Sequence, residues 1–306
     1  MIYDIRHVTT YRYDAPVASA RCSLRLMPAI EDGQRVFDSG LEVVPQPAKM
    51  SERVDFFGTR VTHVDIETTH RELRITALSR VEVERRSAPA AALTPDWESV
   101  RESAFASAAL DPRAPAHFLY PSRLVPLHDP ATAYARESFR RDRPIVEAAD
   151  ELMKRITADF KYDPKATAVS TPLSEAFDAR GGVCQDFAHI MIAALRGLGL
   201  PAAYVSGYIR TIPPAGKPRL VGADASHAWV SLWCGDMFGW LDFDPTNATL
   251  AGNDHIVIAR GRDYADVSPI DGVILASGNQ TLSVSVDVAP SQRTASDPRP
   301  HVEALV

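Results

Sequence analysis

The stretch that decides the fold is Gly181-Gly182-Val183-Cys184-Gln185-Asp186-Phe187-Ala188-His189. It joins a Gly-Gly turn to a run of helical periodicity, with apolar residues at Phe187, Ile190, Met191, Ala194, Leu195 and Leu198. This spacing predicts a helix with one buried face and places Cys184 in its first turn. Unpaired N–H groups and the dipole at a helix start favour the thiolate form of a cysteine. The segment therefore predicts a nucleophilic thiol.

Two later segments add the other groups that a thiol enzyme needs. Ser226-His227-Ala228-Trp229-Val230 opens a strand-like run, and Leu241-Asp242-Phe243-Asp244-Pro245-Thr246-Asn247 closes the next one. A thiolate nucleophile requires an imidazole beside it and a polar group that orients that imidazole. Asp242 and Asp244 would share one strand face, so either could reach His227. Nucleophile, base and carboxylate thus follow one another along the chain.

Together with Gly207-Tyr208-Ile209, His255 and Gly261-Arg262-Asp263-Tyr264, these segments resemble the core of the bacterial transglutaminase-like superfamily. The resemblance is strong over the C-terminal half and looser over the N-terminal part. It implies an α+β fold in which a papain-like core packs helices on an antiparallel sheet. It also implies that Cys184 is the nucleophile, His227 the base and Asp244 the acid.

The function that this resemblance implies is thiol-dependent acyl transfer. We expect a cysteine peptidase or amidase that hydrolyses a peptide or isopeptide amide through a thioester, with a protein or peptide as substrate. One alternative is a protein-glutamine gamma-glutamyltransferase, in which an amine accepts the acyl group. The other is a non-catalytic peptide-binding module. None of these functions requires a metal or an organic cofactor.

Several neighbours of the three central residues are further candidates. A helix-start N–H at Cys184 is a natural oxyanion donor, and side-chain donors could come from Gln185 or Tyr162. Asp186 is either a carboxylate at the helix start or a group that binds a cationic amine. Asp224 is either a loop residue or such an amine-binding group.

Two residues of the predicted strands have both a functional and a structural interpretation. His255 follows the Asp244 strand and is either an auxiliary to the site or an ordinary histidine at a strand edge. Trp229 either lines a substrate cleft or packs in the core, as most strand aromatics do. The loop from Thr211 to Ala225 precedes His227 and is expected to form a mobile rim of the site.

The order of patterns predicts two domains. Alternating apolar residues between turn signals, as at Tyr3, Ile5 and His7, predict a β-sandwich-like domain over residues 1–86. An Ala- and Pro-rich stretch predicts a linker over residues 87–100, followed by the catalytic core over residues 101–288. Residues 289–306 are polar and are expected to form a disordered tail.

The composition excludes several classes of partner. A chain of 306 residues with a net charge of -6 and a pI of about 5.9 is not expected to bind nucleic acid. The N-terminus carries neither a basic leader nor a long apolar run, so we expect no secretion and no membrane association. Three cysteines without a CxxC pair fit a reducing compartment, which predicts a cytoplasmic protein with no cysteine-bound metal.

Overall fold

The structure is a computed structural model that describes residues 1–211, 225–275 and 278–291. The strands in chain order are β1 (Ile2–Val17), β2 (Ser19–Leu24), β3 (Gln34–Val44), β4 (Lys49–Val54), β5 (Arg60–Ile66), β6 (His70–Val83), β7 (Lys161–Tyr162), β8 (Gly181–Gly182), β9 (Ala202–Ile209), β10 (Ala225–Trp233), β11 (Trp240–Asp244), β12 (Thr249–Leu250), β13 (His255–Gly261), β14 (Ile270–Leu275) and β15 (Gln280–Pro290). The α-helices are α1 (Trp97–Ala106), α2 (Asp129–Arg136), α3 (Ile145–Asp159), α4 (Leu173–Ala179), α5 (Cys184–Gly197) and α6 (Tyr264–Val267). Within the described ranges, none of these helices has the length and apolar character needed to cross a membrane.

Two four-stranded antiparallel sheets form a β unit. Their strand orders are β15-β1-β6-β3 and β14-β2-β5-β4. Alternation along β1 buries Tyr3, Ile5, His7 and Thr9 on one face of its sheet. A separate apolar cluster, which includes Leu24, Ile66, Leu73 and Ile75, packs between the two sheets. The unit is therefore a sandwich, as the sequence predicted.

The last two strands return to this unit, which corrects the predicted domain boundaries. β14 pairs with β2, and β15 pairs with β1 over eleven residue pairs. The predicted core of residues 101–288 is therefore wrong at its C-terminal end. Alternation identifies a strand but not its partner, so the sequence assigned these strands to the nearer domain.

The predicted linker and tail also need correction. Residues 87–100 contain a 3-10 helix at Ala91–Leu93 and the first turn of α1. In the predicted tail of residues 289–306, Ala289 and Pro290 pair with Asp4 and Tyr3 of β1. Residues 292–306 lie outside the described ranges.

The second unit packs helices against a five-stranded antiparallel sheet of order β12-β11-β10-β9-β13. Helix α5 is buried over nearly its whole surface and contacts α2, α3, α4, β9 and β10. This burial explains why its sequence is apolar well beyond one face. The strand-like runs predicted at Ser226 and Leu241 are present as β10 and β11. The observed architecture is therefore α+β, as the sequence predicted.

Candidate active site

The start of α5 is held in place by a glycine turn and a buried carboxylate. β8 pairs with β7, and the chain then enters α5 at Cys184. Asp186 Oδ2 accepts the N–H of Val183 at 2.8 Å and the hydroxyl of Thr167 at 2.6 Å. A Cβ on Gly182 would lie 2.4 Å from this oxygen, so the turn requires glycine. Asp186 therefore caps the helix start, which fits the first of its two interpretations.

His227 joins the thiol to a carboxylate of the neighbouring strand. β10 lies between β9 and β11, which places His227 beside the end of β11. His227 Nε2 donates to Asp244 Oδ2 at 2.7 Å, and the Cys184 thiol lies near enough to the imidazole to help raise its pKa. Both His227 and Asp244 are buried, whereas Cys184 is partly exposed. The structure thus brings together the three residues named from the sequence.

The environment favours a charged imidazole at this position. Burial alone lowers the pKa of His227, but hydrogen bonds to Asp244 and Cys184 and the negative charges of both groups raise it. The balance raises the pKa of His227 to about 10. The imidazole therefore keeps its proton at neutral pH, and an imidazolium next to a thiol favours the thiolate.

Asp244 accepts hydrogen bonds on both of its carboxylate oxygens. The N–H groups of Thr246 and Asn247 donate to Oδ1 at 2.9 and 3.2 Å. Besides His227, Oδ2 accepts the side-chain amide of Asn247 at 2.7 Å and Nε2 of His255 at 3.1 Å. Burial raises the pKa of this carboxyl, but the hydrogen bonds from His227 and His255 hold it well below its usual range. Asp244 is therefore a fixed negative charge behind the imidazole.

His255 has a defined tautomer in this arrangement. The N–H of Gly252 donates to Nδ1 of His255 at 3.2 Å, so Nδ1 is an acceptor and the ring proton lies on Nε2. That proton is donated to Asp244. His255 is therefore an auxiliary of the Asp244 carboxylate, the first of its two predicted interpretations.

The same three side chains could in principle hold a metal ion. Ligand atoms of His227, Asp244 and His255 all lie within 4.8 Å of one another. A metal would need the lone pair of His255 Nε2, whose proton is fixed by the Gly252 amide at the opposite nitrogen. The donor set thus fits a hydrogen-bonded carboxylate better than a metal centre.

Two strand residues named from the sequence have a structural role. Trp229 is fully buried and its indole N–H donates to Asp242 at 3.0 Å, so the interpretation of Trp229 as a substrate contact is wrong. Strand alternation turns this ring inward, against His255. Asp242 in turn accepts two hydrogen bonds from Arg260, which leaves Asp244 as the partner of His227.

The remaining candidates lie around the thiol or outside the described residues. Gln185 is buried and its amide nitrogen donates to the carbonyl of Val169 at 3.2 Å. Tyr162 is about half exposed, and burial together with the charge of Cys184 raises its pKa. Asp224 and most of the predicted rim from Thr211 to Ala225 lie outside the described residues.

A groove of about 320 Å³ opens at Cys184 and His227 and has walls from both units. The described residues on the side of the β unit are His7, Thr9, Tyr11, Ile270, Leu282 and Val284. Sequence reasoning missed these positions, because strand alternation shows the faces of β1 and β15 but not what those faces meet. A larger cavity of about 950 Å³ lies elsewhere, around Glu31, Arg85, Arg113 and Arg260, and Cys184 and His227 do not line it.

Comparisons with known proteins agree with this geometry. A model of the bacterial transglutaminase-like N-terminal region matches residues 3–82, and the transglutaminase-like superfamily model matches residues 132–245. An uncharacterized protein of Mycobacterium tuberculosis is 40% identical over 303 residues, which cover 96% of this chain and 94% of that protein. One from Mycobacterium leprae is 32% identical over 286 residues, covering 92% and 96%. The chain therefore belongs to the transglutaminase-like superfamily, a family of thiol-dependent acyl-transfer enzymes.

Two further proteins are similar to this chain, one in fold and one over part of its sequence. A "putative cysteine protease" from Cytophaga hutchinsonii has the same fold, with a TM-score of 0.73, 22% sequence identity and coverage of 96% of this chain and 92% of that chain. A protein-glutamine gamma-glutamyltransferase of Pseudomonas aeruginosa is 36% identical over 103 residues, which cover 31% of this chain and 15% of that protein.

Proposed function

We propose that this protein is a cysteine peptidase or amidase with Cys184 as its nucleophile. The observation that supports this most strongly is the position of His227, which lines the same groove as the Cys184 thiol and shares a hydrogen bond of 2.7 Å with Asp244. Thiol acyl transfer needs an imidazole held in this way between a nucleophile and an orienting carboxylate.

The reaction proceeds in two steps. The Cys184 thiolate attacks the amide carbonyl carbon to form a C–S bond. His227 gives its proton to the departing nitrogen as the C–N bond breaks. A water molecule then attacks the thioester and passes a proton to His227, and the C–S bond breaks to release the acid and restore the thiolate. Asp244 stays ionised throughout and stabilises the imidazolium.

The oxyanion of each tetrahedral intermediate needs hydrogen-bond donors near the thiol. We assign the backbone N–H of Cys184 as one donor, because N–H groups in the first turn of a helix have no acceptor within the helix. Tyr162 is the side-chain donor that we favour, since the negative charge of Cys184 reaches its phenol and its pKa is raised, so the hydroxyl keeps its proton. Gln185 is the alternative, although Val169 already takes one of its amide hydrogens.

Water is the acceptor that we favour over an amine. The described residues that line the groove include no Asp, Glu, Lys or Arg. A lysine ammonium that entered the groove would therefore find no carboxylate partner among these described residues. Transamidation is the second candidate, supported by the partial similarity to the Pseudomonas aeruginosa protein-glutamine gamma-glutamyltransferase.

The test is to follow the fate of the acyl group. We would incubate the protein with a peptide library in water enriched in oxygen-18, with and without a primary amine, and identify products by mass spectrometry. Hydrolysis predicts heavy oxygen in the new carboxylate, whether or not the amine is present. Amine incorporation in place of heavy oxygen would instead identify a transamidase.

Cys184→Ala is the matched control. It should lose all product formation while its circular dichroism spectrum remains that of the folded protein. Product formation that persists in Cys184→Ala would contradict the proposed nucleophile. Peptide binding without any product from wild type would favour the non-catalytic binding module.

The cytoplasmic location remains a prediction.

A further inference from the structure

The apolar part of the groove continues a sheet face that elsewhere packs on the core. In β15, Val286 and Val288 are buried in the main core cluster, and Leu282 and Val284 follow on the same face because alternate residues share a face. Leu282 and Val284 are 53% and 50% exposed and line the groove. One face of β15 is thus buried at the end that carries Val286 and Val288. At the end nearest the thiol, no described residue covers the same face.

Strand pairing extends this uncovered surface onto β1. Tyr11 pairs with Leu282, and Thr9 pairs with Val284. Tyr11 is partly buried and also lines the groove. We call Tyr11, Leu282 and Val284 the apolar wall; it stands in the same groove as Cys184 and His227.

The polar groups around this wall carry no permanent charge. His7 lies on the same side of the groove as the apolar wall. Its two ring nitrogens share hydrogen bonds with the hydroxyls of Tyr208 and Thr9, at 2.8 Å each. Burial lowers the pKa of His7 to about 4, so its ring is uncharged at neutral pH. A charged substrate side chain at this place would lose its hydration without gaining a charged partner among the described residues on this side of the groove.

We propose that the apolar wall is the subsite for the substrate side chain next to the scissile amide, and that the substrates are peptides with a large apolar residue there. This inference rests on the proposed function, because it takes Cys184 as the attacking group. The β unit therefore selects the substrate, while the helical unit supplies the nucleophile and base. Burying one large apolar side chain in such a pocket favours its peptides about 10- to 100-fold over those with glycine at that place.

The test uses electrophiles that need no turnover. Acetyl-leucyl and acetyl-glycyl chloromethyl ketones would be compared for their rates of labelling Cys184, with iodoacetamide as a reagent that has no side chain to place. For wild type we expect the leucyl reagent to label at least about 10-fold faster than the glycyl reagent. Equal rates would overturn the proposed subsite.

Isosteric polar substitutions then locate the effect. In the double variant Leu282→Asn with Val284→Thr, the ratio of leucyl to glycyl labelling should fall towards one, while the iodoacetamide rate is unchanged. The matched control is Leu275→Asn with Val273→Thr on β14, which changes residues of similar exposure outside the groove lining. A wild-type ratio in the Leu282/Val284 variant would contradict the proposal.

Two additional measurements separate the possible failures. Loss of the iodoacetamide rate in the double variant would indicate disturbed folding, and Leu282→Ala would then repeat the test with a smaller change. Hydrolysis of peptide amides is measured in parallel. Selective labelling of Cys184 without hydrolysis would retain the subsite and reject the peptidase reaction.

Discussion

Asp242 and Asp244 lie two residues apart on β11, yet they belong to two different kinds of cluster. Asp244 is fully buried and the Asp242 side chain is 10% exposed, and both carboxyl pKa values are held well below the usual range against the effect of burial. Asp244 bonds to the imidazoles of His227 and His255. Asp242 bonds to the Arg260 guanidinium through both oxygens, at 3.0 and 2.9 Å.

The difference lies in whether the partners can release a proton. Arg260 remains a cation at any pH of interest, and it also binds Glu31 of the β unit twice, at 2.9 Å. The Asp242 cluster therefore links the two units permanently. The imidazole of His227 can lose its proton and lies next to a thiol, so the Asp244 cluster can do acid–base chemistry. A depressed carboxyl pKa does not by itself indicate a reactive site; the identity of the partner does.

The largest expected effect comes from making the same substitution in both clusters. Asp244→Asn should lower kcat/KM by about 10²- to 10⁴-fold, because the imidazolium loses its counter-charge and orienting group. Asp242→Asn should change kcat/KM by less than about tenfold, but should lower the free energy of unfolding by about 3 kcal/mol, because Arg260 loses half of its buried charge partners. Steady-state kinetics and urea unfolding of both variants test this contrast.

The reverse pattern would break the comparison. If Asp242→Asn lost as much activity as Asp244→Asn while remaining folded and stable, the Asp242 cluster would belong to the reaction. Arg260→Met provides an independent check, since it should reproduce the stability loss of Asp242→Asn.

A smaller effect is expected at His255, which acts through Asp244. His255→Phe removes a hydrogen-bond donor from the carboxylate and should lower kcat/KM about 10-fold. The loss should be greatest at acid pH, because a carboxylate that loses a donor has a raised pKa. His255→Gln keeps a donor and should recover most of the activity. Identical pH profiles for wild type and His255→Phe would show that His255 does not act through Asp244.

The smallest effect is a change in how stability depends on pH. A histidine with a raised folded pKa stabilises the fold fully below its unfolded pKa of about 6.5, and this contribution is lost as pH rises through the folded value. For His227 that value is about 10, so the loss should occur between about pH 7 and 10. The comparison is made in a Cys184→Ala background, where no thiol titrates at this site. Alanine also removes the thiol's share of the raised pKa, so in this background the pKa of His227 is raised by Asp244 alone and lies below the value of about 10.

In that background, we compare the protein that keeps His227 with the variant His227→Gln. Between pH 7 and 10, the free energy of unfolding should fall by at least about 1.4 kcal/mol more in the protein with His227. A difference of about 1.4 kcal/mol corresponds to a pKa shift of one unit. Guanidinium unfolding at each pH gives these values. Equal slopes would mean that Asp244 does not hold the proton on His227.

Much of the helical unit could be predicted from the sequence. The periodicity after Cys184 identified α5, and the strand-like runs at Ser226 and Leu241 identified β10 and β11, because these elements have patterns set by local burial. The resemblance then selected Asp244 from two carboxylates on one strand face. The strand pattern alone could not do so, since the choice depends on Arg260, which lies 18 residues beyond Asp242.

Other features depend on contacts between distant parts of the chain. The return of β14 and β15 to the β unit, and hence the groove wall at Leu282 and Val284, follows from pairing with β1 and β2. No local pattern specifies such partners. The role of Asn247 was missed for another reason: its segment was recognised, but its side-chain bond to Asp244 depends on the tight turn that follows β11.

The central claim is that Cys184 is the nucleophile and that His227 activates it. The most direct test is the rate of iodoacetamide alkylation of each cysteine between pH 5 and 10, read by peptide mass spectrometry. Cys22 and Cys234 are internal references, since both are buried, and burial raises the pKa of Cys22 to about 11. We predict that Cys184 already reacts at pH 6 within about threefold of its rate at pH 8, and that His227→Ala abolishes this early reaction. A wild-type rate that rises about tenfold per pH unit up to about pH 8.5, as for an ordinary thiol, would contradict the account.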